Sequence, residues 1–360
     1  MQSAIVQVLL QDNRPMHIVY SDAHYAHAPA HEFLDGKLIP YQESPRRAEM
    51  VLQAAQTAGL GDIIAPRDFG LDPILQIHDA GYVTWLQHIY ADWVHSGGTA
   101  TGAVADTFAM RGLPNRPQKA RAALGYYSLD ATTVHTAGTW AAAYQSAQCA
   151  LTAAQLVVNG ASSAFALCRP PGHHAHADLC GGYCLLNNAA IVAHWLTQNG
   201  NLPNAKVAIL DVDFHHGNGT QAIFYARSDV FFISLHADPE RQYPYFAGAA
   251  TERGSGAGLG YTLNYPLPAG IDDANYLAVL KQACAQINQF APSYLVVSLG
   301  VDTFGGDPLG DFALTPAAFA QIGGVIATLN LPTVFIMEGG YAIEQLGQNV
   351  INTLRGKDER

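Results

Sequence analysis

The chain has 360 residues, 49% hydrophobic and only 13% charged, which supplies a large core and excludes a disordered chain. A formal net charge of −11 argues against non-specific nucleic-acid binding and suits small cationic partners. Cys149, Cys168, Cys180, Cys184 and Cys284 lack a disulfide-framework spacing and read as reduced thiols of a cytoplasmic protein. No apolar run approaches the ~18 residues of a membrane span, and Ala4–Leu10 lacks the basic start of a secretory signal.

In chain order, His17–Ser21 reads as a first short strand and the polar, histidine-rich Asp22–Ile39 as a loop. Ser44-Pro45 ahead of Arg46–Ala58 predicts an N-capped helix with proline at its first turn, and Tyr82–Val94 a second, amphipathic helix. Gly97–Gly125 has no sustained periodicity and reads as a long insertion loop, an element that in compact domains is usually functional. It carries Arg111, Arg116, Lys119 and Arg121 against Asp106. Its Val104, Phe108, Met110 and Leu113 must pack on the chain's own body or on a neighbour. Thr139–Val158 is an alanine-rich helix. Beyond it strands (Ala164–Leu167, Val207–Leu210, Val230–Leu235, Tyr294–Leu299, Thr333–Met337) alternate with helices (Asn187–Gln198, Asp272–Phe290, Pro316–Leu329). That is the pattern of a single open doubly wound, mostly parallel α/β sheet flanked by helices, with residues 1–360 as one domain.

Each of those five strands runs into polar or glycine-rich sequence: CRPPGHH, DVDFHHGNGT, Ser234-Leu235-His236, GVDTFGGDP and EGGY. Ligands of open parallel sheets bind outside the carboxyl ends of the strands, so five motifs converge on one place. Buried charges need a partner or a metal. Asp213 and His215, two apart, point the same way, and Asp302 on a separate strand end completes a three-ligand set with room for water. A salt-bridged strand end is the bland alternative for Asp213 and His215 alone. One of His173 and His174 would take a proton from water and pass it to a leaving amine; Asp211 and Asn218 are placed to orient the two imidazoles. Tyr341, after two glycines, is placed to donate to a developing oxyanion. Together these are the parts of metal-assisted amide hydrolysis.

RPPGHHA, GGYCLLNNAA, ILDVDFHHGNGTQ, SLHADP, VSLGVDTFGGDP and MEGGY resemble, in order and spacing, the zinc-dependent histone deacetylase-like amidohydrolases of the arginase–deacetylase superfamily. The resemblance runs from about His17 to about Leu354. YSDAHYAHAPAHEFLDGKLIPYQESPRRAE, IHDAGY, LGYY and AGTW further resemble the bacterial acetylpolyamine amidohydrolases. It implies one zinc per subunit on Asp213, His215 and Asp302, with Fe²⁺ or Co²⁺ able to substitute in so oxygen-rich a set. His174 would be the main general base and acid, His173 its electrostatic partner and Tyr341 the carbonyl-polarising group. A structural potassium would sit by Asp211, Asp213, His215, Ser234 and Leu235, and a second monovalent ion by Phe224, Val230 and Tyr261. Tyr183, Tyr243, Gly182, Glu32 and Leu309 would line the substrate channel. The Gly97–Gly125 loop would build a homodimer and narrow the channel mouth. Arg121 and Thr132 stand where that subgroup places glutamates at the mouth, and Leu309 where an acidic gatekeeper would favour long polyamines.

The implied activity is deacetylation of a small acetylated amine, an acetylpolyamine or acetylated diamine, with no nucleic-acid or membrane partner. Acetyllysine peptides or other small amides are the alternative substrates. A two-metal ureohydrolase is disfavoured because Phe304, two after Asp302, cannot ligate a metal, and a non-catalytic binding protein because no ligand or tyrosine is lost.

Overall fold

The computed structural model describes residues 16–110, 115–202 and 204–358; Ala4–Leu10, Arg111 and Leu113 lie outside them. In chain order β1 (His17–Val19) is followed by the strands β2 (His31–Leu34) and β3 (Lys37–Pro40), the helix α1 (Arg46–Ala58) and the short β4 (Ile63–Ile64). Next come α2 (Asp72–Leu75), α3 (Ala80–His95), α4 (Ala120–Tyr127), α5 (Thr139–Val158), β5 (Ser163–Ala166) and α6 (Asn188–Asn199). The C-terminal half runs β6 (Val207–Asp211), α7 (Asn218–Phe224), β7 (Val230–Ala237), β8 (Thr262–Leu267) and α8 (Asp273–Phe290). It ends with β9 (Tyr294–Leu299), α9 (Pro316–Ala327), β10 (Thr333–Met337) and α10 (Ile343–Asp358).

Eight strands form one parallel sheet in the order β4-β1-β5-β10-β9-β6-β7-β8. The apolar runs work because successive side chains leave opposite faces of a strand. Val207 and Ile209 pack in one core with α3, α5 and α6, whereas Ala208 and Leu210 pack in another with α1, α8, α9 and α10. This is the doubly wound arrangement expected. The five motif-bearing strands, β5, β10, β9, β6 and β7, are contiguous in the sheet, so their carboxyl ends meet at one edge.

The expected long loop at 22–39 is instead a 3₁₀ turn (Asp22–Ala26) and the β2–β3 hairpin. Asp35 and Gly36, both at positive φ (49° and 73°), make its turn, the Asp-Gly signal that short hairpins demand. The insertion loop is shorter than expected, because Ala120–Tyr127 is helical and buries Ala123, Leu124 and Tyr127. Ser44 assists α1 through its carbonyl, which accepts from the Arg47 amide at 3.1 Å, rather than through a side-chain cap. Strands β6 and β7 run past their expected ends, so Asp211 and His236 belong to the sheet itself. The last helix, α10, is an element the apolar patterning of the strands did not indicate.

Candidate active site

Asp213, His215 and Asp302 come together beyond β6 and β9: their ligand atoms all lie within 4.8 Å of one another. His215 Nδ1 is 3.1 Å from Asp302 Oδ2 and 3.5 Å from Asp213 Oδ1. Both carboxylates are fully buried. Burial and the Asp213 charge push Asp302 up to about 7. Burial works against charge on His215, yet its hydrogen bonds to Asp213 and Asp302 and their charges lift it to about 9. Two carboxylates and an imidazole converging in a buried pocket fit a divalent cation, which would relieve this repulsion.

His173 and His174 follow β5 with ring centroids 4.0 Å apart, and their environments differ. Nδ1 of His173 lies 3.0 Å from Asp211 Oδ2. Burial opposes its charge, but Asp213 and Asp211 outweigh that and hold it up to about 10. His174 meets Asn218 Oδ1 at 2.7 Å. Burial, with the neighbouring His173 and His215, drives it well below the ordinary imidazole value, so it stays neutral. Pairs of titratable groups whose surroundings push them apart mark acid–base assignments. Here the neutral member is His174.

A cavity of about 460 Å³ opens above the cluster, lined by His174, Gly182, Tyr183, His215, Tyr243, Leu309 and Tyr341 among others. Gly182 must be glycine: its φ is 53°, and a Cβ there would stand 2.3 Å from His174 Cδ2. Tyr243 crosses His174 edge-on, centroids 4.8 Å apart, and Tyr183 faces Tyr341 at 5.8 Å. Glu32 is not among the lining residues. It is buried behind the wall, where Tyr183 donates to Oε1 at 3.1 Å and the Gln42 amide at 3.3 Å. Burial lifts it to about 7. Thr132 lines the cavity, but Arg121 does not; its guanidinium lies over the Trp93 ring at 4.9 Å.

The carboxylates at the rim are Asp35, on the hairpin, and Asp130, neither singled out from sequence. Asp130 Oδ2 accepts from the Tyr243 hydroxyl and the Gly182 amide, both at 2.7 Å, and so fixes two walls at once. Two further unpredicted residues hold Tyr341. Asp307 accepts from the amides of Leu309 (3.0 Å), Tyr341 (2.6 Å) and Ala342 (3.0 Å). Arg47 reaches in from the first turn of α1. It donates to the carbonyls of Gly340 (2.6 Å) and Glu338 (2.5 Å), pairs with Glu43 at 2.8 Å, and places its guanidinium 4.8 Å from the Tyr341 ring centre. Asp307 was visible in the GGDP motif, whereas nothing in the local sequence ties Arg47 to residues almost 300 positions away.

His173, Cys184 and Glu338 form a second group with metal-ligand spacing. Its members have other work: Glu338 accepts from the Gly172 (2.7 Å) and His173 (3.2 Å) amides, and the Cys184 thiol donates to the Gly182 carbonyl. At the expected potassium position Asp211 and Ser234 are paired in register, and Ser234 Oγ lies 2.8 Å from His236 Nδ1. Phe224 closes α7, Val230 opens β7 and Tyr261 immediately precedes β8.

Residues 41–356 match the histone deacetylase domain. The chain is 51% identical over 341 residues to acetylpolyamine amidohydrolase 1 of Pseudomonas aeruginosa, covering 94% of this chain and 97% of that protein. It is 48% identical over 338 residues to acetylpolyamine amidohydrolase 2 of the same organism, with the same coverage. The crystal structure of acetylpolyamine aminohydrolase from Burkholderia pseudomallei superposes with a TM-score of 0.90 at 40% identity, over 95% of this chain and 98% of that one.

Proposed function

The chain belongs to the histone deacetylase domain family, and from that membership and the pocket we propose that it hydrolyses the N-acetyl amide of a small acetylated amine, an acetylpolyamine or acetylated diamine, to acetate and the free amine. The observation that carries the reading is one cavity lined by neutral His174, Tyr341, Asp35, Asp130 and His215, the last clustered with Asp213 and Asp302.

Asp213, His215 and Asp302 would hold one zinc ion, or Fe²⁺ or Co²⁺ in its place, which when bound polarises the amide carbonyl and lowers the pKa of water. His174, neutral and lining the cavity, accepts the proton of the attacking water and returns it to the departing amine. His173, kept protonated by Asp211 and Asp213, supplies positive charge beside it. The Tyr341 hydroxyl stays protonated, since burial raises its pKa well above the ordinary value, and donates to the developing oxyanion. Tyr183 and Tyr243 wall a slot suited to an extended chain, and the rim carboxylates attract its cationic end. A potassium ion held by Asp211, Asp213, His215, Ser234 and Leu235, and a second by Phe224, Val230 and Tyr261, would brace the ends of β6 and β7. The 97–119 loop supports a homodimer, since Phe108 and Met110 remain exposed on it. The five buried free cysteines suit the cytoplasm, and among the described residues no helix is long and apolar enough to cross a membrane.

The test is a single preparation assayed on acetylputrescine, acetylcadaverine, acetylspermidine and an acetyllysine peptide. The reading expects kcat/KM for a small amine to exceed that for the peptide by about tenfold, or 1.4 kcal/mol. Equal values would favour an acetyllysine deacetylase.

A further inference from the structure

His174 can act as a base at Nε2 only if its proton sits on Nδ1. That choice is made by the partner of Nδ1, the Asn218 side chain, whose Oδ1 lies 2.7 Å away. A primary amide has an accepting end and a donating end, and turning it over would present NH₂ to His174. The imidazole would then have to carry its proton on Nε2, where the base is needed. Something must hold the amide one way round.

The other end of Asn218 supplies the answer. Its Nδ2 lies 3.1 Å from Nε2 of His176, two residues beyond His174 in the same turn. The backbone of that turn is fixed by the His176 amide, which donates to the Leu179 carbonyl at 2.9 Å. Asn218 is itself buried and anchored through its own amide, which donates to the His216 carbonyl at 2.8 Å. Where Nε2 of His176 accepts from Nδ2, Oδ1 faces His174 and Nδ1 of His174 is the protonated nitrogen.

The geometry points to His176 as a positioning residue that sets the tautomer of His174 by orienting the Asn218 amide. This rests on His174 being the base of the proposed amide hydrolysis. It gives the third histidine of HHAH a role, that of an acceptor for the Asn218 amide.

Glutamine at 176 keeps an acceptor, whereas arginine offers only donors. On acetylputrescine, H176Q should stay within about threefold of wild type, and H176R should lose about 10- to 100-fold in kcat with KM little changed, part of the ~10²–10⁴ that a positioned base contributes. Zinc content should be the same in both. In an N218D background both ends of residue 218 accept, so adding H176R should cost no more than about twofold, a coupling that a purely structural role would not produce. Nitrogen-15 spectra of histidine-labelled protein should show His174 protonated on Nδ1 in wild type and on Nε2 in H176R. Equal losses in H176Q and H176R, or the same H176R loss with N218D as without it, would overturn the inference. H174A separates the two claims. If H174A remains active, the proposed base is wrong; if it is dead while H176R matches wild type, only the role of His176 falls.

Discussion

Tyr341 is held more firmly than a residue following two glycines would suggest. Asp307 fixes its backbone and Arg47 fixes the Glu338 and Gly340 carbonyls ahead of it, so the hydroxyl needs no local stiffness of its own. Tyr341→Phe should therefore leave fold and zinc content intact while lowering kcat by about 10²–10³, the usual cost of one oxyanion donor. A change confined to KM in steady-state kinetics would show that the hydroxyl only binds substrate. Glu32 makes a different prediction. Burial raises its folded pKa from 4.5 to about 7. A carboxyl raised in the folded state contributes stability that is full below the ordinary value and lost as pH rises through about 7. Glu32→Gln should thus melt like wild type near pH 4, and a few degrees higher near pH 8.5, in paired thermal melts. Spacing within a strand end states which way Asp213 and His215 point, and the structure brings them together with Asp302 from the end of β9. The sequence misjudged Glu32, since only the hairpin's packing decides whether a carboxylate faces the slot or lies behind it.

The elements follow the same division. Strands buried on both faces announce themselves as apolar runs, and six helices, α1, α3, α5, α6, α8 and α9, lie within a residue or two of their expected bounds. The two-residue β4 and the polar-flanked hairpin carry too few apolar positions to be read alone, and α4 was hidden inside glycine- and proline-rich surroundings. Within the 97–119 loop, Ala103 and Ala105 are buried and Val104 packs beside the Tyr41, Tyr183 and Tyr341 cluster, whereas Phe108 and Met110 stay 39% and 78% exposed. The loop thus packs inward at one end and offers apolar side chains at the other, as an intersubunit contact would. Replacing both Phe108 and Met110 by aspartate should convert a dimer to a monomer in sedimentation at micromolar concentration without loss of bound zinc. A wild-type protein that sediments as a monomer would rule the dimer out.

Across the whole molecule, the Asp213–His215–Asp302 cluster is a source of repulsion that a bound cation would relieve. Chelation should abolish activity and lower the melting temperature, and added Zn²⁺ should restore both, because an ion bound to the folded state alone stabilises it by mass action. Full activity in a preparation shown to be metal-free would contradict the mechanism. The five strands that carry the chemistry occupy consecutive places inside the sheet, while the rim comes from the β2–β3 hairpin, residues 130–132 and the turn bearing Tyr243 and the 96%-exposed Phe246. Inheritance can therefore act on the two at different tempos. Rim segments are free to lengthen, shorten or change charge while the hydrolytic apparatus passes down intact, so descendants of one ancestor would exchange amines more readily than reactions. For a laboratory seeking new amide specificities, diversity belongs in those three surface segments, with the strand ends left as they are.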